Sequence, residues 1–207
     1  MIVRDGIYYA AGLALAGALI VRLGGFWLAT PLWILALFCL YFFRDPEREI
    51  PAGAVAVSPA DGKVGAVVGE GSDAQRLSVF LNIFDVHVTR SPIGGNIAAV
   101  IYMPGRFHVA SRAEASDQNE QNVVTVQGDD TTVVFKQIAG LIARRIVCTK
   151  KPGDTVAAGE RVGLIKFGSR VDVLFGAEWE IAVRPGMRVS AGSSVIARRR
   201  PLETHGA

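Results

Sequence analysis

The sequence predicts a mainly β domain, sandwich-like or barrel-like, carried behind an N-terminal membrane helical hairpin. Three observations lead there. Half of the 207 residues are hydrophobic and the mean hydropathy is +0.33, too apolar for an ordinary soluble chain. The excess sits in residues 1–44. From Asp45 onward, short alternating apolar runs are bounded by Gly, Pro and Asp, as in half-buried strands. A Pro-Gly pattern then occurs twice near the C-terminus. The expected division is a membrane-anchoring hairpin over 1–44 and one β-rich domain over 45–207, roughly 160 residues and long enough for its own core.

The hairpin is read from two apolar runs. Ile7 to Val21 is the first, interrupted by Arg22-Leu23-Gly24-Gly25. Phe26 to Phe43 is the second, ended by Arg44-Asp45-Pro46-Glu47-Arg48-Glu49. A helix needs roughly 20 apolar residues to cross a bilayer core, so the hairpin either spans twice or enters one leaflet and returns. Asp5, the second run and the charged stretch behind it argue against a cleaved signal peptide. Arg4, Arg44 and Arg48 flank the outer ends, which places both ends, and the β domain, on the cytoplasmic face of the inner membrane. Arg22 then lies at the far interface or snorkels. The net charge of +3 suits an anionic membrane surface. No basic run is interleaved with aromatics, so no nucleic-acid partner is expected. Cys39 and Cys148 fit neither a disulfide framework nor a metal site.

In the β domain, Ile50 to Val57 leads into Ser58-Pro59-Ala60-Asp61-Gly62, a turn before a strand over Lys63 to Val68. Asp61 before glycine reads locally as a turn residue. Arg76 to Phe84 is the next strand, with Leu77, Val79, Leu81 and Ile83 on one face. In Asp85-Val86-His87-Val88, His87 points opposite to its valine neighbours. Its local reading is a hydrogen-bonded structural histidine. Asn96 to Met103 is a strand between Gly94-Gly95 and Pro104-Gly105. Arg112 to Asn122 is a loop or one short helix. Val123–Val126 and Thr131–Ile138 form a hairpin about Gly128-Asp129-Asp130. Ala139 to Cys148, with Arg144 and Arg145 inside it, reads as a strand in preference to a short helix.

The repeat begins at Lys151 and again at Arg184, an offset of 33 residues, with the shared pattern basic-Pro-Gly-x-x-Val-x-Ala-Gly-x-x-Val. Two copies are too few for a solenoid and predict two matching corners, similar to those of biotinyl and lipoyl carrier domains. A carrier needs a modifiable lysine at a hairpin tip. Here the segment between the copies holds Phe167-Gly168-Ser169-Arg170 instead. It reads as strand, Gly-Ser break, strand, with Val171, Val173 and Phe175 on one face. A bulge between two strands explains the break. A serine hydroxyl turned nucleophile by a nearby base explains it as well.

Taken together, these residues resemble the pyruvoyl-dependent phosphatidylserine decarboxylase proenzymes. The resemblance runs from Tyr41-Phe42-Phe43-Arg44-Asp45-Pro46-Glu47-Arg48 to about Val195. It takes in Ser58-Pro59-Ala60-Asp61-Gly62, Asp85-Val86-His87-Val88 with Arg90-Ser91-Pro92, Pro104-Gly105, Asn119-Glu120 and Gly168-Ser169. It implies that Ser169 attacks the Gly168 carbonyl, with His87 as base and Asp61 as the partner of His87. The chain is thereby cut into 1–168 and 169–207, which stay associated, and residue 169 becomes a covalent pyruvoyl cofactor. That group then accepts electrons as carbon dioxide leaves phosphatidylserine, giving phosphatidylethanolamine. The implied partners are this lipid and the bilayer, with a homodimer as a further option.

Arg90 and Arg170 adjoin His87 and Ser169 and are the candidate ligands of the lipid phosphate; a solvated strand-end arginine is the alternative for each. The junction Phe-Gly-Ser-Arg departs from the Leu-Gly-Ser-Thr of better-known bacterial members and matches the short-chain branch. Phe84 stands where many members have a second histidine, three residues before His87. The proton donor in decarboxylation is then His87 again, or His108; His205 lies in a polar tail. Two rival readings remain, a membrane-tethered carrier-like adaptor without catalysis and a pyruvoyl decarboxylase of a soluble amino acid. A serine hydrolase is disfavoured because no Gly-x-Ser-x-Gly elbow is present.

Overall fold

A computed structural model describes residues 1–200 apart from 71–73, 113, 142–144 and 167. Arg144, Phe167 and His205, singled out above, lie outside the described residues. The chain forms two units, Met1–Glu47 and a β-rich unit that begins at Arg48.

In the first unit, α1 (Arg4–Arg22) and α2 (Phe26–Phe42) form the expected hairpin. Two of the three glycines in α1 sit in close approaches. A Cβ at Gly6 would lie 2.4 Å from Phe43 Cβ, and one at Gly17 would lie 2.4 Å from Trp33 Nε1. The Val3 N–H donates to the Phe43 carbonyl and the Asp45 N–H to the Met1 carbonyl, closing the base. Helix α1 is long and apolar enough to cross a membrane, whereas α2 is shorter at 17 residues. Trp27, Leu28, Leu15 and Leu37 are exposed, an apolar exterior compatible with membrane association.

The second unit is built on an eight-stranded antiparallel sheet. Its strands in chain order are β2 (Gly62–Glu70), β3 (Ala74–Leu81), β5 (Gly95–Met103), β6 (Gln121–Gln127), β7 (Thr132–Ala139), β9 (Thr155–Val156), β11 (Ser169–Phe175) and β13 (Arg188–Val189). Across the sheet the order is β13-β2-β3-β11-β7-β6-β5-β9. Two three-stranded sheets accompany it. One holds β1 (Val55–Val57), β14 (Val195–Arg199) and β12 (Trp179–Ile181); the other holds β4 (Val88–Arg90), β10 (Arg161–Lys166) and β8 (Arg145–Cys148).

Side-chain alternation explains the layering. Leu77, Val79, Phe135, Val171, Val173 and Phe175 from the large sheet join Val162, Ile165, Ile196 and Ala197 from the small sheets in one core. A short helix, α3 (Ala115–Gln118), takes the segment that read as loop or helix. The single strand expected over Ala139 to Cys148 is interrupted: β7 ends at Ala139, Gly140 and Leu141 lie outside any strand, and residues 145–148 form a separate strand.

Strand β3 stops at Leu81, three residues before the expected end at Phe84. Asn82 explains the difference. Its N–H donates to Asp85 Oδ2, its Oδ1 accepts from the Phe84 N–H, and its carbonyl accepts from the Asp85 N–H. An Asx turn therefore competes successfully with the ladder.

The repeat forms matched corners at opposite edges of the large sheet. Gly153 has φ 93° and Gly186 has φ 94°, left-handed values that a side chain would strain. The Gly153 N–H donates to Ile97 on β5, and the Gly186 N–H to Val64 on β2. The symmetry extends further than the sequence pattern. Ser58-Pro59 and Ser91-Pro92 are equivalent, and they cross: Val57 N–H donates to Pro92 O, while Arg90 N–H donates to Pro59 O. Each serine hydroxyl closes the same turn, onto Ala60 O and Ile93 O, both at 2.7 Å.

Candidate functional site

The Gly168-Ser169 break lies between two strands, as expected, but these belong to different sheets, so it is a crossing between sheets and not a bulge. Strand β10 lies in the small sheet with β4, and β11 lies at the centre of the large one. Strand β10 ends at Lys166 and β11 begins at Ser169. A second crossing runs beside it, from β3 to β4. Its two ends are tied to the first: Leu81 stands opposite Ser169, and the Ile165 N–H donates to the His87 carbonyl at 3.2 Å. The topology therefore carries His87 alongside the junction although 82 positions separate the two in sequence. A further bond supports the placement. Gln137 Nε2 donates to Thr89 Oγ1 at 2.7 Å, while Ala139, two residues on, stands opposite Ser169.

Ser169 is 1% exposed. Its Oγ is buried and bonds to no group among the described residues. A buried hydroxyl without a partner costs free energy, and this one is available to a proton acceptor or a ligand in the cavity. A cavity of about 320 Å³ opens at the junction, bounded by Phe80, Leu81, Val109, Ser111 and Leu141 with Gly168 and Ser169.

His87 is buried, and its Nδ1 lies 2.9 Å from the Asp85 carbonyl. A carbonyl only accepts, so Nδ1 carries the proton and Nε2 is the basic nitrogen of the neutral ring. Asp85 is itself fixed, by Asn82 and by an ion pair with Arg188. Asp61 lies at a corner of the repeat. Its carboxylate accepts from Arg48 at both oxygens at 2.9 Å, and from the Ala191 N–H at 2.8 Å.

The arginines differ from the solvated strand ends that stood as the alternative: both are buried. Arg90 Nη1 donates to the Gly159 carbonyl at 2.9 Å. Arg170 donates Nε to Asp172 and Nη2 to Ser78 Oγ, with its guanidinium 5.2 Å from the Phe80 ring centre. Ser116 Oγ completes the shell of Asp172. His108 N–H donates to Asn119 Oδ1, and His108 Nε2 is buried with no hydrogen-bond partner among the described residues.

Comparison with known proteins adds to this geometry. The phosphatidylserine decarboxylase family profile matches residues 35–197. The chain belongs to that family. It is 71% identical over 198 residues to the phosphatidylserine decarboxylase proenzyme of Solibacter usitatus, covering 96% of this chain and 97% of that one. Similarity to the proenzymes of Cupriavidus pinatubonensis and Burkholderia pseudomallei is 44% identity, over 95% of this chain and 94% of each relative.

For a member of the phosphatidylserine decarboxylase family, the junction's surroundings hold several residues that sequence reasoning passed over. Asp85 was part of the quoted motif, but its carbonyl as the holder of His87 was invisible without the fold. Ser78, Ser116 and Asp172 sit at alternating or helical positions with no signal of their own. Asp172 is completely buried and compensates the Arg170 charge. Asp172→Ala leaves that cation buried and unpaired, so it is expected to destabilise the domain by about 3–5 kcal/mol. A shift of the urea unfolding midpoint at unchanged slope checks this.

Proposed function

We propose that this chain is a proenzyme that cuts itself between Gly168 and Ser169 and then decarboxylates phosphatidylserine to phosphatidylethanolamine and carbon dioxide. Family membership supports the reaction. The single structural observation that carries the site is the Ser169 hydroxyl, buried without a described partner on a residue that lines a cavity. The same features fit a pyruvoyl group made in place from this residue.

Cleavage starts when the Ser169 hydroxyl proton passes to His87 Nε2 and Oγ attacks the Gly168 carbonyl carbon. The peptide C–N bond breaks, an ester forms, and the proton goes to the freed amine of residue 169. Asp61 is the acidic partner that favours the charged form of His87. Loss of the residue-169 Cα proton then breaks the Cβ–Oγ bond and releases Gly168 as a carboxylate. The unsaturated residue tautomerises, takes up water and loses ammonia, leaving a ketone at the head of 169–207. The two fragments stay together, since β11 is bonded to β3 on one side and to β7 on the other.

The pyruvoyl ketone supplies an electron sink for the pair left when carbon dioxide departs. The walls formed by Phe80, Leu81, Val109 and Leu141 are apolar. Such surroundings disfavour a charged carboxylate relative to neutral carbon dioxide. The replacing proton comes from His87 Nε2 or from His108. Arg90 and Arg170 bind the lipid phosphate only by exchanging the protein acceptors they hold in this fold. The hairpin keeps the domain at the inner membrane, on its cytoplasmic face, where the lipid substrate lies.

The test is the intact mass of the purified chain under denaturing conditions, followed by carbon dioxide release. Two chains split after Gly168 are expected, the shorter one blocked and lighter than a serine start predicts. Release is expected from phosphatidylserine vesicles and not from free serine. One full-length chain without turnover supports the adaptor reading instead. Turnover of serine alone supports the soluble-substrate reading.

A further inference from the structure

The Gly168 carbonyl rests against another glycine. Gly140 directly follows β7, whose last residue, Ala139, stands opposite Ser169. A Cβ at Gly140 would lie 2.1 Å from the Gly168 oxygen and 3.1 Å from its carbonyl carbon. The first separation is far inside van der Waals contact and the second is tighter than most, so a side chain here forces something to move. By contrast, a Cβ at Gly168 itself would meet no described atom within 4 Å. The tight approach at this junction is therefore imposed from the Gly140 side.

What moves is decided by Asn119. This side chain is buried and binds three backbone groups. Nδ2 donates to Ala139 O at 2.8 Å and to His108 O at 2.9 Å, and Oδ1 accepts from the His108 N–H at 2.9 Å. The Ala139 N–H donates to the Glu120 carbonyl at 2.9 Å. Both backbone groups of Ala139 are thus held, and the next residue has little freedom to retreat. Gly168 adjoins the open cavity and can yield.

We propose that Gly140, fixed through Asn119, is a positioning residue for self-cleavage: its bare Cα sets where the scissile carbonyl sits relative to Ser169 Oγ. The proposal rests on the reading of Gly168-Ser169 as the junction. Attack requires reacting atoms about 3–3.5 Å apart, and a displacement of about 1 Å costs about 100-fold in rate. A methyl group at residue 140 demands a shift of that size.

The experiment follows cleavage of the full chain by intact mass over time, with and without hydroxylamine, which cuts an ester but leaves the amide. Gly140→Ala is expected to fold by circular dichroism and to cut itself about 100-fold more slowly. Hydroxylamine cutting between residues 168 and 169 is expected to fall in the same proportion, because less ester forms. Asn119→Asp keeps the acceptor for the His108 N–H and loses both donors; it is expected to slow the two processes equally, by roughly tenfold. A purely structural role would lower the melting temperature without changing hydroxylamine cutting of the folded fraction.

Cleavage of Gly140→Ala at the wild-type rate overturns the proposal. So does wild-type hydroxylamine cutting of a folded, self-cleavage-deficient Gly140→Ala chain, which would place the defect in the later elimination. If Gly140→Ala does not fold, Asn119→Asp decides, and wild-type rates in that variant overturn the proposal. A wild-type chain that stays whole, with or without hydroxylamine, is a separate failure, that of the junction itself.

Discussion

Ser169→Ala is expected to yield one full-length chain with no decarboxylase activity, and to fold as well as the wild type. The two halves of that expectation come from the same side chain. Its Oγ is the only atom removed, and it is buried without a hydrogen-bond partner among the described residues. Nothing in the described fold is lost with it, and a desolvated hydroxyl disappears, so stability is expected to stay within about 1 kcal/mol or to rise slightly. The ladder on both sides of β11 uses backbone groups, which alanine keeps. Chemistry, by contrast, loses its nucleophile and the atoms from which the ketone is made. Mass spectrometry and a thermal melt on the same sample check both halves. Two fragments from Ser169→Ala would remove this residue from its role. An uncut but unfolded chain would show that the hydroxyl contributes to the fold.

The difference between those two halves also marks what the sequence could disclose. The strands were legible because Val171, Val173 and Phe175 alternate with Arg170 and Asp172, and such spacing has one simple physical reading. Both sides of β11 are nevertheless buried, because Arg170, Asp172, Ser78 and Ser116 satisfy one another. Alternation alone distinguishes polar from apolar positions, not exposed from paired ones. The corners were legible because Pro-Gly at 152–153 and 185–186 fixes backbone angles locally. The matching of Ser58-Pro59 with Ser91-Pro92 was missed, since a two-residue likeness acquires meaning only when the chains cross. The early stop of β3 was missed because Asn82 and Asp85 choose a turn through side chains, against the strand preference of Ile83 and Phe84.

The site divides in the same way. Ser169, His87 and Asp61 were named from a resemblance between motifs, with no account of how distant segments meet. The fold runs the β3–β4 and β10–β11 crossings side by side, tying Leu81 to Ser169 and His87 to Ile165, while the Ser169 hydroxyl is not hydrogen-bonded to His87. Asn119 and Gly140 were beyond reach as functional residues. One acts through backbone groups of His108 and Ala139, and the other through an absent side chain; Asn119-Glu120 stands among the motifs of the resemblance, but its contacts with His108 and Ala139 are not readable from a linear pattern.

His87→Ala is expected to slow self-cleavage by about 10²–10⁴-fold, the usual contribution of a positioned general base. Asp61→Asn is expected to slow it measurably, but by less. The ranking follows from hydrogen bonds. The Asp85 carbonyl holds Nδ1 of His87, so the correct tautomer survives the loss of the Asp61 charge. The Asp61 carboxylate already accepts from Arg48 and the Ala191 N–H, which spreads its charge over two other partners. What Asp61→Asn removes is the charge that favours the protonated ring, while the Asp85 carbonyl still orients Nδ1. First-order cleavage rates of freshly made chains, with melting temperatures alongside, provide the measurement. Equal losses in the two variants would mean that Asp61 orients His87 directly during attack, in a geometry different from this one. Wild-type rates in both would take His87 and Asp61 out of the maturation chemistry and leave Ser169 to be activated by another base, with His108 and its buried Nε2 the first to test.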